Sequence, residues 1–180
     1  MQQTNQNTTI ILASQSPSRR MLLDRLNIPY FIRPAHIDET QLKNEEPKDL
    51  VIRLALEKAK KIANKIISEI ELEPHNLDSK IYNYLIIGSD QVICIKNKNY
   101  KNYTVLGKPL THEKGIEQLS LASGNWVECM SGLALVKLTI TKKHNKKSNL
   151  KNNTIKYQNT ISEKSYLSHS RIKFKQLSKS

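Results

Sequence analysis

The chain has 180 residues, enough for one domain with a proper apolar core, or for two lobes, and too few for several independent domains. Its formal net charge is +13, yet residues 137–180 hold twelve Lys and Arg against a single acid, Glu163. The body is therefore close to neutral, which excludes a surface built throughout for nucleic acid.

No apolar run reaches the roughly 18 residues of a membrane span, and the N-terminal MQQTNQNTT is polar rather than a basic lead into an apolar segment, so a soluble cytoplasmic protein is expected. Thr8 to Ala13 is a β-branched, apolar run that predicts a strand leading into Ser14-Gln15-Ser16-Pro17, where Ser16 can cap a helix starting at Pro17. That helix continues through Leu26 and is broken by Asn27-Ile28-Pro29, after which Tyr30 to Arg33 reads as a second strand. Asp38-Glu39-Thr40 falls in a polar loop. A long helix is predicted from Pro47, with Val51, Leu54, Ala55, Ala59, Ile62, Ala63 and Ile66 at helical spacing and Lys58 beside that stripe.

Leu85-Ile86-Ile87 has a buried-strand pattern that ends at Gly88-Ser89-Asp90-Gln91, with Val92 to Ile95 continuing extended, so Asp90 is expected at a strand end. Asn97 to Tyr103 reads as a polar hairpin tip. Leu106-Gly107-Lys108-Pro109 leads to Thr111, a candidate cap for a helix that runs to about Ala122 and is stopped by Gly124. Trp126 to Leu138 is a predicted strand with a bend at Gly132. Thr141 to Ser170 lacks Gly, Pro and apolar periodicity and is expected to be disordered, while Arg171 to Leu177 returns to strand-like alternation. Cys94 and Cys129 have no C-x-x-C spacing and are expected to be buried free thiols.

Two groups of residues carry chemistry. Ser14, Ser16, Arg19 and Arg20 stand at a strand-to-helix turn, where open backbone N–H groups, hydroxyls and guanidinium groups together suit a phosphate; a well-capped surface helix is the alternative. Asp90 and Glu39 could hold a divalent metal or activate water, with Lys58 and Lys108 as cations for phosphate oxygens; each alone is also compatible with an ordinary solvated charge. No histidine has metal-ligand spacing, and neither G-x-x-x-x-G-K-[ST] nor G-x-G-x-x-G occurs, which removes P-loop and Rossmann sites.

Taken in order, Leu12-Ala13-Ser14-Gln15-Ser16-Pro17-Ser18-Arg19-Arg20, Asp38-Glu39-Thr40, Glu57-Lys58-Ala59, Gly88-Ser89-Asp90-Gln91-Val92, Gly107-Lys108-Pro109, Ser123-Gly124 and Ser131-Gly132-Leu133-Ala134 resemble the Maf family of nucleoside triphosphate pyrophosphatases. The resemblance covers about Ile10 to Val136, and Ser-Asp-Gln-Val is similar to the subgroup that acts on 7-methyl-GTP rather than to the Ala-Asp-Thr subgroup that takes dTTP and UTP. It implies an α/β fold of the Maf and inosine triphosphatase-like type, with a mixed elongated sheet, helices on both faces and a central cleft. The implied reaction hydrolyses a nucleotide to its monophosphate and pyrophosphate with a divalent metal, magnesium or manganese.

By this resemblance Asp90 is the proton acceptor, Glu39 and Asp90 hold the metal, and Ser14, Ser16, Arg19, Arg20, Lys58 and Lys108 bind the phosphates. Ser18 and Gln91 stand at specificity positions, and Ser18 departs from the Trp usual in the subgroup. The implied assembly is a homodimer. Relatives continue for several tens of residues past a strand like Arg171 to Leu177, so the expected organisation is a catalytic domain over 8–140, a basic insertion over 141–170 and a remnant strand over 171–180 of a truncated domain. The competing reading is an inactive truncated relative whose basic tail binds nucleic acid weakly and without sequence preference.

Overall fold

The computed structural model describes residues 8–72, 81–96, 103–143 and 156–177. In chain order the elements are β1 (Thr8–Leu12), α1 (Pro17–Asp24), β2 (Phe31–Ile32), α2 (Pro47–Leu72), β3 (Ile81–Lys96), β4 (Tyr103–Leu106), α3 (His112–Ala122), β5 (Trp126–Lys143) and β6 (Lys156–Lys173). The expected mixed α/β class is present: six strands form a sheet in the order β2-β1-β3-β5-β6, with β4 paired to β3. β1 runs parallel to β2 and β3, whereas β4 is antiparallel to β3. Among the described residues no helix is long and apolar enough to cross a membrane.

The chain forms two compact units, one of Met1–Asp38, Leu56–Gly88 and Ala134–Lys164, the other of Glu39–Ala55, Ser89–Leu133 and Ser165–Ser180. In the first, Ile11, Leu12, Ala59, Ile62, Ile66 and Ile86 are buried, and on β5 so are Ala134, Val136, Leu138 and Ile140. That alternation along β5 is the period of two that a pleated strand imposes when one face is covered. The helical stripe foreseen on α2 is likewise buried, because spacing of three and four keeps its members on one side of the helix. Lys60 on α2 pairs with Glu163 on β6 at 2.7 Å, and Thr139 donates to the buried Asn83 carbonyl at 2.9 Å.

In the second unit Val51, Cys94 and Met130 form one buried cluster, against which Val92, Tyr103 and Val105 pack. Ile95, Ala122 and Val127 form another, with Leu106 and Phe174. Thr111 caps α3 as foreseen, its hydroxyl accepting from the Lys114 N–H at 3.3 Å, and Gly124 ends the segment with φ +65°. Phe174 N–H donates to Asn125 O at 3.0 Å and Gly124 N–H to Lys175 O at 3.2 Å, which ties the chain after β6 to the turn after α3.

Several expectations are corrected. α1 ends at Asp24 rather than Leu26, since the turn that follows reaches φ 51° at Asn27. Ser16 is the N-cap residue, but its side chain makes no capping bond. β2 is two residues long. β5 continues past Leu138 to Lys143, and Gly132 within it leaves room for α2, because an ideal Cβ there would overlap the Val51 carbonyl. Disorder over 141–170 does not hold for 141–143 or 156–170, which are strand. Backbone pairing satisfies N–H and C=O groups whatever the side chains, and Tyr157, Thr160, Ile161 and Tyr166 favour an extended chain. Residues 144–155, the hairpin tip over 97–102 and the last three residues lie outside the described ones.

Candidate active site

In the second unit β3 runs through Asp90 to Lys96, so the carboxylate is not at a strand end. Strand periodicity instead puts Ile86, Gly88 and Asp90 on one buried face, and Asp90 retains 7% exposure. Asp90, Gln91, Glu39 and Lys108 line one pocket of about 450 Å³ whose apolar wall includes Leu50, Leu54 and Val105. That volume and lining are those of a small-molecule site, mostly apolar with a few converging polar groups.

Each wall has a local reason. Glu39 lies in the loop before α2, and an ion pair fastens that loop: Arg53 donates to Glu45 from Nε at 2.6 Å and from Nη2 at 2.8 Å, and Nη2 also reaches the Thr40 carbonyl at 3.1 Å. The Arg53 guanidinium holds the Glu45 carboxyl below the usual carboxylate range, against the opposing effect of burial. Lys108 follows β4, and the Gln118 amide of α3 donates to the carbonyl of Gly107 beside it at 2.9 Å. Gln91 is exposed on β3, and its amide donates to Cys129 Sγ on β5 at 2.7 Å.

Cys94 is buried as expected, and burial first, then Glu128 and Cys129, push its thiol up to about 11. Cys129 departs from the expectation, since it is partly exposed and partners Gln91. Behind it, the buried Glu128 carboxylate lies 2.9 Å from His169 Nε2. Neither the Arg53 clamp nor these contacts had a sequence signal: each joins residues whose nearness depends on loop path or strand pairing.

In the first unit Ala13 N–H donates to Ile87 O at 2.8 Å, which extends the β1–β3 pairing and delivers Ser14 at the strand's end. Ser14 is 7% exposed, and its Oγ accepts from the Ser16 N–H and from Arg19 Nη1, each at 3.2 Å. α1 then begins at Pro17, so its first N–H groups have no intrahelical acceptor. Arg20 Nε is buried and has no hydrogen-bond partner among the described residues. Ser18 is exposed on the first turn, and Lys58 is buried on α2 at 7% exposure. The residues foreseen from sequence thus gather as Ser14, Ser16, Ser18, Arg19 and Arg20 on one turn, with Lys58 on the helix of that unit, and as Glu39, Asp90, Gln91 and Lys108 around the pocket of the other.

The pocket's donor set bears on a metal. Among the described residues no group of three or more His, Cys, Asp and Glu is placed to hold an ion. Two carboxylates facing one pocket do fit an ion of the magnesium type, which takes one or two carboxylates and completes its shell with water and substrate phosphates.

Comparison with known proteins gives a consistent picture. The family described as Maf-like protein matches residues 9–179. A 7-methyl-GTP pyrophosphatase of Alcanivorax borkumensis is 42% identical over 133 residues, which are 74% of this chain and 57% of that protein. Proteins of the same name are 42% identical in Pseudomonas savastanoi pv. phaseolicola, over 71% of this chain and 56% of theirs, and 41% identical in Nitrosococcus oceani, over 71% and 54%. The chain spans about half the length of the curated relatives it matches.

Proposed function

This chain belongs to the Maf family, and from that premise we propose that it hydrolyses the α–β phosphoanhydride of a nucleoside triphosphate, 7-methyl-GTP foremost, to the monophosphate and pyrophosphate. The observation that carries the reading is the convergence of Glu39, Asp90, Gln91 and Lys108 on one pocket. An anhydride's negative oxygens repel a nucleophile, so the protein must neutralise charge and hold a water in line more than supply covalent chemistry. Asp90 takes the proton of the attacking water, and Lys108 offsets charge on the phosphate oxygens. The apolar wall keeps the local dielectric low, which strengthens both effects.

In the unit that carries the serine turn, Ser14, Ser16, Arg19, Arg20 and Lys58 are assigned to phosphate oxygens. The buried Arg20 Nε supports this, because an unmet guanidinium donor is costly unless an anion answers it. Gln91 and Ser18 are assigned to the base; Ser18 has no ring to stack on it, which leaves selection to hydrogen bonding by the Gln91 amide. Glu39 and Asp90 would hold a divalent ion, magnesium or manganese, whose chemistry there is to polarise phosphate oxygens and lower the barrier to water attack. Cytoplasmic residence and a homodimeric assembly accompany the reading.

The test is pyrophosphate release from 7-methyl-GTP, GTP, dTTP and UTP with magnesium or manganese, for the protein and its Asp90→Asn variant. Release from 7-methyl-GTP that falls at least a hundredfold in the variant, on the order of the loss of a general base, is expected. Folded protein that releases nothing from any of the four would end this reading.

A further inference from the structure

The Gln91 amide has a partner that no assignment above uses. Gln91 stands exposed on β3 and lines the pocket, while Cys129 stands partly exposed on β5, and the amide Nε2 donates to its sulfur at 2.7 Å. A glutamine side chain on a strand surface has several rotamers, and ordering it costs conformational freedom. Its two ends also differ chemically: one donates and the other accepts, so an unanchored amide can turn over and greet opposite base edges equally well.

We propose that Cys129 is a positioning residue for base selection, the sulfur holding the NH₂ end of Gln91 so that the carbonyl end is the one left for the base. This rests on the reading above, in which Gln91 meets the base. A thiol is a weak donor as well as a weak acceptor, and here it is the NH₂ end of the amide that faces the sulfur. An amide presented by its oxygen favours a base edge that offers adjacent N–H donors, as the guanine edge does, over a pyrimidine edge in which one N–H lies between two carbonyls. The thiol nearby does not share the task, because Cys94 is fully buried in the Val51 and Met130 cluster. Cys129 therefore acts through Gln91 and needs no contact with substrate.

Three substitutions test it by selectivity, read as kcat/KM for 7-methyl-GTP divided by kcat/KM for dTTP. Cys129→Ala and Cys129→Val, the second of similar bulk, both remove the acceptor, and each is expected to lower that ratio roughly threefold to tenfold, the worth of one hydrogen bond. Cys129→Ser keeps an acceptor and restores most of the loss. In a Gln91→Ala background the alanine change at position 129 alters the ratio no further. An unchanged ratio in both Cys129→Ala and Cys129→Val, or an equal loss in the Gln91→Ala background, overturns the proposal while the pyrophosphatase reading stands. A wild-type protein inert on every nucleotide removes both.

Discussion

Gly132 is buried on β5 against the first turns of α2. A methyl group there would overlap the carbonyl of Val51 and come within 2.9 Å of the Ile52 nitrogen. All three neighbouring atoms are backbone, and Val51 itself has no exposure, so nothing can swing aside. Accommodating Gly132→Ala requires helix or strand to retreat by roughly 1 Å, and close-packed interiors resist such displacement. Overpacking of this kind costs about 1–3 kcal/mol, and backbone neighbours argue for the upper end. For a chain of this size about 3 kcal/mol corresponds to a melting point lowered by roughly 6–12 °C. Gly107→Ala is the matched control, because a Cβ at that exposed position meets nothing within 4 Å. Thermal unfolding followed by circular dichroism at one protein concentration reads both. A Gly132→Ala protein that melts within about 2 °C of the wild type would refute the steric argument.

Two further outcomes follow from the same structure. With an aromatic disulfide at mildly alkaline pH, one thiol, Cys129, is expected to react at once and Cys94 only on unfolding, because Cys94 is buried with its thiol pushed up to about 11; two fast thiols in native protein would contradict this. Glu45 has a lowered folded pKa, so its pairing with Arg53 adds stability that is fully present above the ordinary carboxylate value of 4.5 and fades as pH falls through the lowered one. Arg53→Gln should therefore melt below the wild type at pH 7, with a gap that narrows towards pH 3; a gap of constant size would show that the carboxylate's charge is not involved.

Much of the frame was legible because it depends on short-range rules. Pro47 and the apolar stripe marked α2, Thr111 and Gly124 bracketed α3, and the run from Thr8 into Ser14-x-Ser16-Pro17 marked β1 and the turn to α1. What was misread depends on pairing. Asp90 sits inside β3 because the strand carries on beyond it to pair with β4 from Ile93 to Lys96, a fact that its own flanking residues do not encode. β6 has the composition of a loose tail and becomes a strand through its ladder with β5. The Gln91 contact with Cys129 joins residues 38 apart in sequence, and only the arrangement of strands brings them within reach.

β6 also stands last in the strand order, and its far side has no partner strand among the described residues. Eighteen residues of open ladder are a template on which another chain could add itself, and natural sheets guard such rims with lysine and other charges. Lys164, Arg171 and Lys173 are such charges, spaced along this strand. Positive charge along such a rim opposes the approach of a second strand of like charge. Exchanging Lys164 and Lys173 for valine is expected to raise light scattering of the folded protein over time, and scattering equal to that of the wild type would refute the idea.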